Sequence, residues 1–141
     1  MAERLDQLHH VGVIVQDLEA SIAWYREHLG FERLTDFSFP GAKVAFIGRG
    51  TLKLEFFQIE GAAPMDDRRK QAEPNLTIGG INHFAIVVED IDQALAELAA
   101  RGVEQAYSLN AVPDGSGDRW TFIRDNEGML IELFQPAKPV R

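Results

Sequence analysis

The run Leu8-His9-His10-Val11-Gly12-Val13-Ile14-Val15-Gln16-Asp17-Leu18-Glu19 is answered, without a gap, by Ile81-Asn82-His83-Phe84-Ala85-Ile86-Val87-Val88-Glu89-Asp90-Ile91-Asp92, 73 residues later (83 − 10). Each copy opens with an apolar, β-branched run of strand length, and an Asp suited to cap a helix follows it, Asp17 or Asp90. Helical spacing then takes over through Ile22, Tyr25 and Leu29 in the first copy and Ile91, Leu95 and Leu98 in the second, with Gly30 and Gly102 as C-terminal stops. Three strand-like stretches complete each copy, near residues 31–37, 43–49 and 51–58, then near 103–109, 118–124 and 129–135. The copies also close alike. Leu52-Lys53-Leu54-Glu55-Phe56-Phe57-Gln58 matches Met129-Leu130-Ile131-Glu132-Leu133-Phe134-Gln135, 77 residues on (132 − 55). Internal self-similarity at a fixed spacing marks a duplicated supersecondary unit. The unit here is βαβββ, used twice in an α+β chain. The modules span residues 5–60 and 80–136 of a single domain covering 1–141, joined by a linker over 61–79 whose Gly, Pro and charge leave room for a short helix near 66–72.

Composition sets the outer limits. The chain has 141 residues, 45% hydrophobic and 26% charged, which fits one globular domain able to bury roughly 68–70% of its unfolded surface. It contains no Cys, so disulfides, thiolate metal sites and cysteine nucleophiles are excluded, and a reducing compartment, the cytoplasm, is the expectation. A formal net charge of −8 repels phosphate backbones and anionic lipid, so neither nucleic acid nor membrane is expected as a partner. No run of 18 apolar residues occurs.

Side chains of a strand alternate between its faces. Leu8, His10, Gly12 and Ile14 therefore share one face and Val11, Val13 and Val15 the other, which packs under the helix; Ile81, His83, Ala85 and Val87 repeat the pattern. In the closing strands Leu54 and Phe56, and Ile131 and Leu133, form apolar rows, with Glu55 and Glu132 facing away from them. A carboxylate withdrawn from water costs several kcal/mol unless a cation or good donors compensate. Taken singly, His10 reads as a hydrogen-bonded core histidine and Glu55 as the partner of Arg49 or Arg119. Two His and two Glu at repeat-related positions read differently: a pseudo-twofold axis would bring them together, and such a set suits a borderline divalent ion, Zn, Ni, Co, Mn or Fe. Gly12 and Ala85, two residues after each histidine, leave space above it. His9 is expected to face away from His10, and His28 to sit in the last helical turn, where a cation favours the dipole; neither is read as a ligand.

These residues resemble the vicinal oxygen chelate superfamily, which contains glyoxalase I, methylmalonyl-CoA epimerase, extradiol dioxygenases and bleomycin-binding proteins. The resemblance rests on His10-Val11-Gly12, on Asp17 to Ser21 with Trp24-Tyr25 before Leu29-Gly30-Phe31, on Leu54-Glu55-Phe56, on Asn82-His83-Phe84-Ala85, and on Arg124-Asp125-Asn126-Glu127-Gly128 before Ile131-Glu132-Leu133. It implies a curved, mostly antiparallel half-barrel around a site, built within one chain or across a homodimer. It further implies one divalent ion held by His10, Glu55, His83 and Glu132, a set similar to that of bacterial glyoxalase I (lactoylglutathione lyase). The reaction so implied is a lyase or isomerase proton transfer beside a carbonyl or enolate oxygen on the ion, with Glu132 as first candidate for the base and Glu55 as second. The substrate would be a small thiohemiacetal or acyl thioester, glutathione-linked in the glyoxalase case. Ile14 and Ile59 stand where glyoxalase I carries the arginine and asparagine that hold glutathione. A methylmalonyl-CoA epimerase-like reaction, a non-catalytic binding protein of the bleomycin-resistance type and an Fe(II) dioxygenase are the alternatives. Phe57, Trp120, Phe122 and Phe134 would line a pocket or simply fill the core, and residues 110–118 form either a lid or a surface turn.

Overall fold

A computed structural model of the protein describes residues 2–138. It divides into two compact units at Pro64–Met65. In the first, β1 (Val11–Ile14), α1 (Leu18–Leu29), β2 (Glu32–Phe39), β3 (Ala42–Arg49) and β4 (Leu52–Ile59) follow one another, and the strands lie in the order β1-β4-β3-β2. β1 runs parallel to β4 and the remaining pairs are antiparallel. The second unit begins with a 3-10 turn, Asp67–Lys70, and a short helix α2, Ala72–Asn75. It continues through β5 (Phe84–Val87), α3 (Ile91–Ala100), β6 (Asn110–Ala111), β7 (Arg119–Arg124) and β8 (Leu130–Gln135) in the order β5-β8-β7-β6. The topology is thus repeated, as the sequence repeat implies.

Each helix starts and stops for local reasons. Asp17 Oδ1 accepts the Ala20 N–H and Asp90 Oδ1 that of Gln93, both at 3.0 Å, satisfying an otherwise unpaired amide of the first turn. Gly30 ends α1 at φ 71°, a left-handed conformation that a Cβ would oppose. One further device comes from tertiary structure. Gln58, near the end of β4, accepts the Leu18 N–H at 2.8 Å, and Gln135 at the end of β8 accepts the Ile91 N–H at 2.8 Å. The strand that pairs with β1 or β5 thereby also fastens the following helix.

Packing covers one face of each sheet. Tyr25 is wholly buried, its ring edge-on to Phe56 at 5.0 Å and Phe31 at 5.6 Å, over a floor of Ile47 and Leu54. Ile91 and Leu98 lie on the corresponding floor of Ile123, Ile131 and Leu133. Leu95, expected in this row, is only half-buried. Burying each large apolar side chain contributes about 1.5–3 kcal/mol, enough to fix which face of the strands carries the helix. Glu55 and Glu132 project from the other.

Two sequence expectations need correction here. Residues 103–109 do not form a strand; the pairing is reduced to a bridge between Gln105 and Ile123 and to the two residues of β6. Side chains have taken over the backbone groups: the Tyr107 carbonyl accepts from Gln105 Nε2 at 2.8 Å and Thr121 Oγ1 at 2.7 Å, so it is withdrawn from a ladder. The first strands also begin later than the apolar runs suggest, at Val11 and Phe84, leaving both histidines one residue ahead of them.

Candidate active site

Parallel pairing places Gly12 beside Glu55 and Ala85 beside Glu132. A histidine two residues earlier on the same face then leans over the carboxylate. His10 Nε2 is 3.4 Å from Glu55 Oε1, and His83 Nε2 is 3.0 Å from Glu132 Oε2. Both carboxylate side chains are only 15% exposed. Neither guanidinium that might have neutralised Glu55 approaches it: Arg49 donates to the Leu29 carbonyl at 2.8 Å, and Arg119 pairs with Asp92 at 3.0 Å.

A phenylalanine completes each pair. Phe46 lies opposite Glu55 and Phe122 opposite Glu132 in the antiparallel ladders. The His10 ring meets Phe46 edge-on at 5.1 Å, and His83 meets Phe122 at 5.0 Å, both at 85°. Phe46 was not among the residues singled out from sequence; a hairpin register counted back from each Glu would have found both. Phe122 continues into an aromatic group, edge-on to Trp120 at 5.6 Å, while Tyr107 stacks on Trp120 at 5.5 Å. Phe122 is buried, whereas Phe57, Trp120 and Phe134 remain half-exposed on the His–Glu face.

The hydrogen bonds behind His83 determine what its front can bind. Asn82 Nδ2 donates to the Asn75 carbonyl at 3.1 Å, which fixes the amide so that Oδ1 meets His83 Nδ1 at 2.7 Å. An amide oxygen only accepts, so Nδ1 carries the proton. In the neutral ring Nε2 is then a bare lone pair, 3.0 Å from a carboxylate oxygen. Two acceptors that close repel unless a cation or proton lies with them, and a divalent ion fits that need. A ligating histidine ordinarily donates its second N–H to an acceptor of this kind. The support extends further: Asn75, 1% exposed, returns a hydrogen bond to the Asn82 carbonyl at 3.0 Å and accepts from Arg69 at 3.2 Å. Arg69 and Asn75 lie in the stretch read as a linker, and composition gave no sign of this task.

His9 corrects another expectation. Its ring does not turn away; Nδ1 lies 2.8 Å from His10 Nδ1, so one ring donates to the other, as Asn82 accepts at the repeat-related position. Strand alternation fails because residues 9 and 10 precede β1. His28 sits on α1 beside Trp24, ring centroids 5.1 Å apart, and takes no part. Residues 110–118 form a hairpin between β6 and β7, tied by Val112 N–H to the Asp118 carbonyl and by Ser116 N–H to Asp114 Oδ1. Among the described residues the structure brings the four predicted ligands together as one His–Glu pair per unit, with no group of three such side chains around one point.

The profile of the Glyoxalase/Bleomycin resistance protein/Dioxygenase superfamily matches residues 7–133. The chain belongs to that superfamily. Within it, the chain is 32% identical to the ethylmalonyl-CoA/methylmalonyl-CoA epimerase of Cereibacter sphaeroides over 93% of this chain and 98% of that one. It is also 32% identical to a 2-epi-5-epi-valiolone epimerase from Actinomyces, across 89% of this chain and 77% of the relative. Among solved structures, a glyoxalase family protein from Enterococcus faecalis superposes with TM-score 0.76 at 27% identity, covering 92% of this chain and 98% of that one. The superfamily accounts for the paired four-stranded sheets. No described helix is long and apolar enough to cross a membrane.

Proposed function

We propose that this protein is a divalent-metal-dependent epimerase acting on a small carbonyl compound, an acyl thioester or a related species, with His10, Glu55, His83 and Glu132 holding one ion of Ni, Co, Zn, Mn or Fe. The single observation that carries the reading is the duplicated His–Glu pair, in which each carboxylate lacks an Arg or Lys partner among the described residues and each imidazole nitrogen faces it. Held by those residues, such an ion would supply Lewis acidity that offsets negative charge on a carbonyl oxygen when the adjacent C–H loses its proton. The proton itself is handled by the chain. Glu132 would take it from one face of the carbon and Glu55, from the other module and protonated at the start, would deliver its own proton to the opposite face, both groups then re-equilibrating with solvent; epimerisation needs two such groups, and a duplicated module has two to give. Asn82 holds the His83 ring in its tautomer throughout, and Phe46 and Phe122 shield the pairs from water. The relatives bearing epimerase names support this over other reactions of the same site.

A glyoxalase I-type lyase would use the same proton transfer on a thiohemiacetal. Ile14 and Ile59, lying on the His–Glu face without a hydrogen-bonding group, count against a glutathione carrier. We further infer a cytoplasmic homodimer, for which light scattering at micromolar concentration should give twice 15.8 kDa. The reaction is tested by reconstitution with each of the five metals and assay on methylmalonyl-CoA, methylglyoxal with glutathione, and catechols. Exchange of the α-proton of the acyl thioester with solvent deuterium, dependent on metal, is the expected result; metal binding without exchange on any of them would leave a binding protein instead.

A further inference from the structure

The His–Glu face of β4 changes character along its length. Lys53, Glu55, Phe57 and Ile59 point the same way, two residues apart, so a cation lies on one side of the acidic ligand and apolar side chains on the other. The same row of β8 reads Leu130, Glu132 and Phe134, with no cation. The cation belongs to one repeat only.

Lys53 is held rather than loose. It is half-buried, and its stem crosses Gly48, its ladder partner, where a Cβ would stand 3.5 Å from Lys53 Cγ. Its ammonium group makes no ion pair among the described residues, in a chain with 22 acidic and 14 basic side chains. Glu55, two residues on along the same face, pairs with His10, and Glu32, across the ladder beyond Gly48, pairs with Arg26 at 3.8 Å. Lys53 instead lines a cleft of about 540 Å3 with Gln7, Leu8, His9, Gly50 and Thr51. The amide of Gln7, the hydroxyl of Thr51 and the ammonium group of Lys53 are hydrogen-bond donors suited to an oxyanion. The volume lies in the range of small-molecule sites.

We propose that this cleft binds an oxyanion group of the substrate, a carboxylate or a phosphate, about 7 Å along β4 from Glu55. The substrate is then amphipathic: the anion seats at Lys53, the reacting carbon lies over Glu55, and an apolar substituent rests on Phe57 and Ile59. This deepens the epimerase reading, and rests on it for the reacting carbon. A polyhydroxylated ring would find few partners along this row. Because the repeat-related position is Leu130, the site reads the substrate in one orientation.

The test uses the metal-free protein, so it does not depend on the metal or on turnover. Inorganic phosphate and malonate are titrated separately into the 15N-labelled protein. The expected result is saturable amide shifts at Gly50, Thr51, Lys53 and His9, weakened at least fivefold by Lys53→Gln and restored by Lys53→Arg. The tighter of the two probes says whether phosphate or carboxylate is the group recognised. Shifts absent with both probes, scattered over the surface, or unchanged in Lys53→Gln would overturn the proposal. A loss of metal binding or proton exchange with these shifts intact would instead count against the epimerase reading alone.

Discussion

His83 meets Glu132 at 3.0 Å through Nε2 while its other nitrogen is already committed to Asn82 Oδ1 at 2.7 Å. That ordering, acceptor behind and carboxylate in front, leaves Nε2 of the neutral ring a lone pair rather than a hydrogen-bond donor to the acid, as the proposed metal site requires. Replacing Asn82 with Ala removes the acceptor that sets the tautomer. Affinity for Co(II) or Zn(II), measured by calorimetry, should fall 10- to 100-fold. Asn75→Ala should act in the same direction through Asn82, and unaltered affinity in both variants would detach this network from the metal.

Glu132→Gln keeps the shape of the side chain and removes its charge and basicity. Metal affinity should drop, and proton exchange at the substrate should fall by about 10²- to 10⁴-fold, the range for losing a positioned acid–base group. Full turnover in this variant would take Glu132 out of the reaction, and a comparable test of Glu55→Gln would show whether Glu55 delivers the second proton.

An ion bound to the folded state alone must raise its stability. At a hundredfold excess over the dissociation constant the gain is about 2.7 kcal/mol, which for a chain of this size corresponds to roughly 5–10 °C in Tm. Scanning calorimetry with metal and then with chelator should show that difference. His83→Ala should abolish it, since one module would keep only its acid.

The caps formed by Gln58 and Gln135 should matter equally in the two units. Each accepts an N–H at a helix start that no other side chain serves among the described residues. Gln58→Ala and Gln135→Ala should each cost about 0.5–2 kcal/mol in urea denaturation, with the slope of the transition unchanged.

Asp66 gives a check on electrostatics away from the site. Hydrogen bonds from the Arg68 side chain and backbone hold its carboxyl at about 2 rather than 3.8. A depressed folded-state value contributes stability above the unfolded value, and that contribution disappears as pH falls from about 4 through about 2. A carbon-detected NMR titration should place the Asp66 midpoint near 2, and Arg68→Ala should return it to the ordinary carboxylate range. The stability change itself should be small, because the pair is solvent-exposed.

The repeats of residues 8–19 at 81–92 and of 52–58 at 129–135 are enough to define the βαβββ unit, its duplication, the helix caps at Asp17 and Asp90, and the candidate ligands His10, Glu55, His83 and Glu132. All of these are local: hydrophobic period and capping chemistry act over a few residues, so they are written into short stretches and survive reading in isolation. The pairing of His10 with Glu55 and of His83 with Glu132 was also within reach, because parity along a strand assigns faces.

What the linear order concealed depends on residues far apart. The sequence could not show that Asn75 and Arg69, in a Gly- and Pro-rich stretch, would fix the Asn82 amide behind His83, or that His9 would swing round to His10. Nor could it reveal that Gln105 and Thr121 would claim the Tyr107 carbonyl and dissolve a strand. Hydrogen bonds carry direction and need a partner at about 3 Å, so their choice is made only when packing brings distant segments together. Periodicity sets which way a side chain faces; only the folded chain determines what it meets there.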